Sequence, residues 1–273
     1  MGRSAVVVLG MHRSGTSSVA GALTMLGATP PRTLMAPAED NPRGFWESVV
    51  LADFNDRLLA ARGSAWNDAG AFDIGAVPAL DAFTEEASTL LRAEFGGQSP
   101  IVLKDPRICR IFPFWAAVLA NAGYGVAVIS PLRDPVEVAA SLSSRNGFSQ
   151  ADGLRLWLRH VLDAEAASRD RPRIFLPWPE FLADWRTAMG QARRRLGLPL
   201  IVPAPGEPHP VDAFLSRDLR RQAAPAPAGN PLVVRAWQAL THIAHHGEEP
   251  AVHAELDAVR GALDQETAAF ARD

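Results

Sequence analysis

The sequence has little lysine or cysteine and no long apolar run. Of its 27 basic residues only Lys104 is a lysine, and the others are arginines. The single cysteine, Cys109, cannot form a disulfide within the chain, which is typical of a reducing compartment. No apolar run is long enough to span a membrane, and no signal peptide precedes the first apolar run, at residues 5–9. We therefore expect a cytoplasmic protein with no stable membrane insertion.

The chain also lacks an excess of positive charge. Its net charge is −3, so no overall field attracts nucleic acid, and we expect no nucleic-acid partner. Any anion site must therefore be a local cluster of positive groups. With 273 residues, 48% of them hydrophobic and 21% charged, the chain can bury a core of ordinary size.

Short apolar runs alternate with segments of helical periodicity. The runs at residues 5–10, 101–103, 126–129 and 174–176 predict strands, and the segments between them, such as 108–121, 150–168 and 181–196, predict helices. This alternation indicates an α/β fold with a parallel sheet flanked by helices. We expect one domain at 1–198. Residues 199–273 would form a proline-rich connection and two helices, about 232–246 and 250–271, that pack on it or cover it as a lid.

A glycine-containing loop, Gly10-Met-His-Arg-Ser-Gly-Thr-Ser17, lies between the first predicted strand and the first predicted helix. At such a junction backbone N–H groups and a helix N-terminus can hold a phosphate, and the hydroxyls of Thr16 and Ser17 can add donors. The loop is close to the nucleotide-binding pattern G-x-x-x-x-G-K-[ST], but Thr16 replaces the lysine and the cation is Arg13. The alternative interpretation is a glycine-containing turn that binds nothing, which the strand and the helix on either side of the loop disfavour.

A second motif follows the third predicted strand. Arg133 offers a planar fork for phosphate oxygens, and Ser141 lies about two helical turns further on. Taken alone, the segment could also be a simple helix start, with Asp134 as the cap and Pro135 in the first turn.

Together the two motifs resemble those of the sulfotransferase superfamily that uses 3′-phosphoadenosine 5′-phosphosulfate (PAPS), and the likeness covers about residues 5–198. In that family Lys or Arg precedes [ST]-G-T-[ST] in the 5′-phosphosulfate loop, and an arginine and a serine eight positions apart share the 3′-phosphate. The resemblance implies a bacterial enzyme with a P-loop-type fold that moves a sulfuryl group from PAPS and leaves adenosine 3′,5′-bisphosphate. The residues it implies for cofactor binding are Arg13, Ser14, Gly15, Thr16, Ser17, Arg133 and Ser141.

The resemblance also suggests catalytic roles. Arg13 would face the leaving phosphate, and Lys104, in a Lys-x-Pro element, would lie at the acceptor site. Glu47, which is expected to open the second helix, is the favoured base, although Asp40 or Asp105 could serve instead. Because a sulfuryl group carries less charge than a phosphoryl group, we expect no metal requirement.

The acceptor stays open: a small molecule, sugar or lipid with a hydroxyl or an amine. Candidate acceptor-site residues are Phe45, Trp46, Asp105 and Arg107. Ser18 replaces the aromatic residue that often stacks on the adenine in this family, so the adenine partner is not assigned. Nor is the oligomeric state.

Two other functions compete with this interpretation. The first is an ATP-dependent small-molecule kinase, in which the strand from Ile101 would end at a magnesium-binding Asp105. The second is a nucleotide-binding domain without catalysis, which would need neither Lys104 nor a carboxylate base.

Overall fold

The computed structural model describes residues 2–215 and 229–270. Within these residues four parallel strands form one sheet in the order β2-β1-β3-β4. The strands are β1 (Arg3–Val8), β2 (Ile101–Lys104), β3 (Tyr124–Leu132) and β4 (Arg173–Pro177). The predicted α/β fold, a parallel sheet flanked by helices, is confirmed.

Helices follow each strand and complete the chain. The described ones are α1 (Thr16–Met25), α2 (Val49–Ala60), α3 (Leu80–Phe95), α4 (Ile108–Asn121), α5 (Pro135–Asn146), α6 (Gln150–Ala167), α7 (Trp178–Ala183), α8 (Trp185–Leu196), α9 (Pro210–Phe214), α10 (Pro231–His246) and α11 (Pro250–Phe270).

Both faces of the sheet are buried, and the central strand shows how. Ala5 and Val7 of β1 join a core cluster with residues of α2, α3 and α4. Val6 and Val8 point to the opposite face and join a cluster with α1 and α8. Because alternate side chains of a strand point to opposite faces, a strand covered on both sides needs a continuous apolar run.

The structure corrects two helix predictions. The segment 181–196 was expected to be one helix, which is wrong: the chain breaks at Asp184, whose φ and ψ are −147° and 80°. The Asp184 carboxylate accepts a 3.0 Å hydrogen bond from the backbone N–H of Thr187 and so starts a second helix. Glu47 was expected to open α2, but the helix begins at Val49, with Ser48 as its N-cap.

The C-terminal helices pack on the same body as the sheet. Helix α10 contacts β4 and α6, and α11 contacts α10 and α6. Part of the predicted proline-rich connection, 216–228, and the predicted helix end at 271 lie outside the described residues. The boundary at residue 198 stays a prediction. In the part of the chain that the structure describes, no helix combines the length and the apolarity that crossing a membrane requires.

Candidate functional site

A cavity of about 280 Å³ opens at the carboxyl edge of the sheet, where ligands of parallel α/β sheets bind. All four strands lead into its wall: β1 into the glycine-containing loop, β2 through Lys104, β3 through Arg133 and β4 through Trp178. The segment before α2 and one face of α5 complete it. The residues named from the sequence that line this cavity are Arg13, Gly15, Thr16, Ser17, Ser18, Asp40, Phe45, Glu47, Lys104, Arg133 and Ser141.

The loop after β1 turns sharply before α1. The backbone N–H of Ser14 donates to the carbonyl of Met11 over 3.1 Å, and Arg13 and Gly15 both have positive φ, 71° and 91°. Helix α1 then begins at Thr16 with no side-chain cap on its first N–H groups. Uncapped N–H groups and the positive end of the helix dipole form a site suited to an anion.

Trp178 closes one side of this loop. A Cβ atom at position 15 would lie 2.5 Å from carbon atoms of the Trp178 ring, so only glycine allows this approach. Under the loop, the Ser14 side chain is buried, and its hydroxyl has no hydrogen-bond partner among the described residues. A buried polar atom of this kind is costly unless a ligand or water satisfies it.

The two sequence motifs meet in the cavity. Arg13 Nε donates to Ser141 Oγ over 2.9 Å, and Arg133 Nη1 donates to the carbonyl oxygen of Arg13 over 3.0 Å. Arg133 is also held by Glu137, one turn along α5, at 3.0 Å. The loop cation and the residues after β3 therefore form one connected group.

A buried ion pair joins the end of β2 to the segment before α2. Lys104 and Glu47 form a salt bridge with side chains only 2% and 4% exposed. Lys104 Nζ also donates to Ser17 Oγ over 3.2 Å and to the carbonyl of Phe45 over 3.1 Å. Burial raises the pKa of Glu47, and the positive charges of Lys104 and Arg107 only partly oppose this effect.

Two of the predicted acceptor residues, Arg107 and Asp105, lie behind this pair and do not line the cavity. Arg107 bridges Asp105 at 3.1 Å and Asp56 at 2.6 Å, and reaches to 4.0 Å from Glu47. The Asp105 carboxylate also accepts from Asn55 over 3.0 Å. Both residues thus support the wall that carries Glu47.

Trp46, another of the four predicted acceptor residues, also lies outside the cavity lining. Its ring contacts Phe214 of α9 edge to face, with centroids 5.9 Å apart. Its indole N–H donates to the carbonyl of Arg43 over 3.1 Å. Trp46 therefore packs the loop before α2 against α9.

His12 is the one histidine in the described cavity lining, and the charges of several cations act on it. Burial, followed by the charges of Arg107 and Lys104, lowers its pKa well below the ordinary value, so the imidazole is neutral at pH 7. Its ring lies 4.6 Å from that of Trp66, edge to face.

The cavity residues that were not found from the sequence include Arg145, Trp178 and Arg43. Arg145 lies four residues after Ser141, on the same face of α5, so helical spacing could have pointed to it. Trp178 follows a predicted strand, and the rule that ligands collect at strand carboxyl ends was the available signal. Arg43 carries no such signal, because it lies in an irregular segment.

No protein-family model matches this sequence, and no curated protein matches it. Several solved structures are similar to it, and they include the following two. The sulfotransferase domain of the olefin synthase from Synechococcus PCC 7002 has a TM-score of 0.44 and 15% identity, over 99% of this chain and 94% of that one. Sulfotransferase STF1 from Mycobacterium tuberculosis H37Rv has a TM-score of 0.41 and 17% identity, over 96% of this chain and 76% of that one.

Proposed function

We propose that this chain is a sulfotransferase that moves a sulfuryl group from PAPS to a hydroxyl or an amine of a small-molecule, sugar or lipid acceptor. The observation that carries the proposal is the position of the lone lysine. Lys104 Nζ contacts the phosphate loop through Ser17 and forms a buried ion pair with Glu47. A cation and a candidate base therefore lie side by side at the end of the anion site.

The charges in the cavity fit such a donor. Its described lining holds five cations, Arg13, Arg43, Lys104, Arg133 and Arg145, and two carboxylates, Asp40 and Glu47. PAPS carries a 3′-phosphate and a 5′-phosphosulfate, so it needs cations at two places. When bound, it supplies the activated sulfuryl group. The buried Ser14 hydroxyl, which has no partner among the described residues, is a donor of the kind that a 5′-phosphate accepts.

The proposed roles follow from these positions. Arg133 and Ser141 hold the 3′-phosphate, while the loop from Arg13 to Ser17 holds the 5′-phosphate. Lys104 stabilises negative charge at the transferring group, as fixed cations do in phosphoryl transfer. Arg13 and Lys104 would supply the positive charge next to the transferring sulfuryl group, so the proposal assigns no metal to the reaction.

Glu47 is the proposed general base. Its carboxylate lines the cavity beside Lys104, and burial raises its pKa. A base with a raised pKa takes a proton from a hydroxyl more readily than an ordinary carboxylate does. The hydrogen bond from Lys104 orients the carboxylate before the acceptor arrives.

The kinase interpretation receives less support. It needs Asp105 as a magnesium ligand, but this carboxylate is not in the described cavity lining and is occupied by Asn55 and Arg107. A simple nucleotide-binding domain would not need a buried Lys104–Glu47 pair in the cavity wall, because such pairs are costly to desolvate.

Thermal unfolding with nucleotides separates the three functions. Adenosine 3′,5′-bisphosphate at 100 times its Kd should stabilise the fold by about 2.7 kcal/mol, whereas ATP with Mg²⁺ should not. A panel of hydroxyl and amine acceptors incubated with PAPS should then yield a sulfated product by mass spectrometry. Stabilisation by ATP with Mg²⁺ alone would indicate a kinase. Stabilisation by the bisphosphate with no product from any acceptor, and no sulfate release, would favour the domain without catalysis.

A further inference from the structure

We infer that Arg145 is an additional ligand for the donor phosphate that Arg133 and Ser141 bind. Asp40 would compete with this phosphate for Arg145 and Arg13. The inference rests on the proposed function, because it takes the anion to be a phosphate of a 3′,5′-bisphosphorylated adenosine. Neither residue belongs to the two motifs discussed above.

One carboxylate oxygen lies between two cations in the cavity. Asp40 Oδ2 is 3.3 Å from Arg13 Nη1 and 2.9 Å from Arg145 Nε. The Arg145 guanidinium lies 5.5 Å from the centre of the Phe45 ring, a cation–π distance that holds it over the cavity. All four residues line the same space. The protein thus places an anion of its own between two guanidinium groups of its anion site.

The position of Arg145 on α5 extends the second motif. Ser141 and Arg145 are four residues apart, so they project from the same face of the helix, and Ser144 of that face also lines the cavity. Arg133 lies just before the helix, and Arg13 contacts Ser141 at 2.9 Å. A phosphate bound by Arg133 and Ser141 would therefore lie next to the Arg145 guanidinium.

Asp40 is well placed to leave this position. Its side chain is one-third exposed, so water can solvate the carboxylate as soon as it moves away. It belongs to a tight turn closed by two backbone hydrogen bonds, Ala38 N–H to Asn41 C=O at 3.3 Å and Asn41 N–H to Ala38 C=O at 2.9 Å. A turn that closes on itself can shift as a unit without breaking strand or helix hydrogen bonds.

The exchange favours a phosphate over weaker anions. A partly exposed ion pair contributes less than about 1 kcal/mol, whereas a phosphate carries close to two charges and has three acceptor oxygens for the two guanidinium forks. A singly charged carboxylate gains no such advantage over Asp40. The arrangement therefore selects for a phosphate at this position.

Calorimetric titration with adenosine 3′,5′-bisphosphate tests the inference on the full chain. Asp40→Asn should bind it about threefold to tenfold more tightly than the wild type, because the competing charge is removed. Glu39→Gln is the matched control: it lies in the same turn, is exposed, and changes the net charge by the same amount. Its affinity should stay within about twofold of the wild type.

Arg145→Gln should weaken binding about tenfold. The gain in affinity from Asp40→Asn should be smaller when Arg145→Gln is also present, because Asp40 and Arg145 form an ion pair. Equal affinities of the wild type, Asp40→Asn and Arg145→Gln would overturn this inference and leave the proposed function standing. An equal gain in Glu39→Gln would also overturn it, because the effect would then be one of net charge. Absence of binding in every variant and in the wild type would overturn the proposed function and the inference with it.

Discussion

Arg13 Nε donates a 2.9 Å hydrogen bond to Ser141 Oγ, and 128 positions of sequence separate the two residues. The contact joins the loop after β1 to the helix after β3. It is possible because the two strands pair in parallel, with Val8 opposite Ile129, so that their carboxyl ends lie next to each other. The two phosphate motifs are therefore expected to act on a single nucleotide.

Removing the proposed 3′-phosphate contacts should reduce nucleotide selectivity. Ser141→Ala removes a hydroxyl, and Arg133→Lys keeps the charge beside Glu137 but loses the planar fork. Each should lower the affinity for adenosine 3′,5′-bisphosphate by about 1.5–3 kcal/mol and leave the affinity for adenosine 5′-phosphate nearly unchanged. Calorimetric titration with both nucleotides measures the ratio of the two affinities.

Ser143→Ala is the control for Ser141→Ala. It lies on the same helix, is exposed, and is not among the residues that line the cavity. It should bind both nucleotides as the wild type does. If Ser141→Ala and Arg133→Lys keep the wild-type ratio, the 3′-phosphate is bound elsewhere.

Glu47→Gln should lower turnover far more than it lowers donor affinity. A general base contributes about 10²–10⁴-fold to the rate, whereas glutamine can still accept a hydrogen bond from Lys104. Because burial raises the pKa of Glu47, wild-type kcat/KM should fall with decreasing pH above the range of an ordinary carboxylate, as the base becomes protonated. The residual rate of Glu47→Gln should lack this acidic limb.

Asp105→Asn serves as the comparison for the base. Asp105 is buried like Glu47 but lies outside the described cavity lining, so its amide should retain most of the turnover. Loss of turnover in Asp105→Asn, together with normal turnover in Glu47→Gln, would transfer the role of the base to Asp105. Turnover lost only in Asp40→Asn would transfer it to Asp40.

Lys104→Arg should lower turnover by about an order of magnitude or more, although the charge is kept. Lys104 is buried, and its ammonium contacts Ser17, the Phe45 carbonyl and Glu47. A guanidinium is wider and planar, so it cannot make the same three contacts. Steady-state kinetics with thermal unfolding of the same variant separates a lost site from a lost fold. A silent Lys104→Arg, with an active Lys104→Met, would remove the lysine from the mechanism.

Acid should destabilise the fold through His160. This side chain is fully buried on α6, and burial lowers its pKa to about 3. The unfolded chain, with an ordinary histidine pKa of about 6.5, binds the proton first, so stability falls as pH decreases from about 6.5 towards 3. Between pH 7 and pH 5 this histidine alone should cost about 2 kcal/mol, measured by urea unfolding.

His160→Leu should reduce the loss between pH 7 and pH 5 by that amount. Identical pH profiles for His160→Leu and the wild type would show that the pKa of His160 is not lowered in the folded protein.

Much of the sheet could be predicted because its signals are local. The apolar runs that predicted strands lie within β1, β2, β3 and β4, apart from residues 9 and 10, which follow β1. Helix α4 has the predicted bounds, 108–121, although Pro113 lies inside it and Ile111 departs from helical geometry. The break at Asp184 was missed because the apolar spacing continues across it, while the cap is a single side-chain contact.

Less of the site than of the fold could be predicted from the sequence. Residues directly after strands, such as Lys104 and Arg133, could be placed because the strand end is itself visible in the sequence. The contacts of Trp178 with Gly15 and of Asp40 with Arg145 depend on segments more than 100 residues apart. No local pattern encodes them. Trp46, a candidate acceptor-site residue, packs against α9.

The pairing of β1 with β3 also bears on how the chain folds. More than 115 residues separate the paired positions, so closing this loop is a slow, late step compared with forming a local helix. Until it closes, the loop after β1 has no α5 beside it and Arg13 has no Ser141. Under the proposed function, we therefore expect nucleotide affinity to arise only once the central pair of strands has assembled. In a refolding experiment, nucleotide binding would report the arrival of the long-range topology, while helix content would report earlier events.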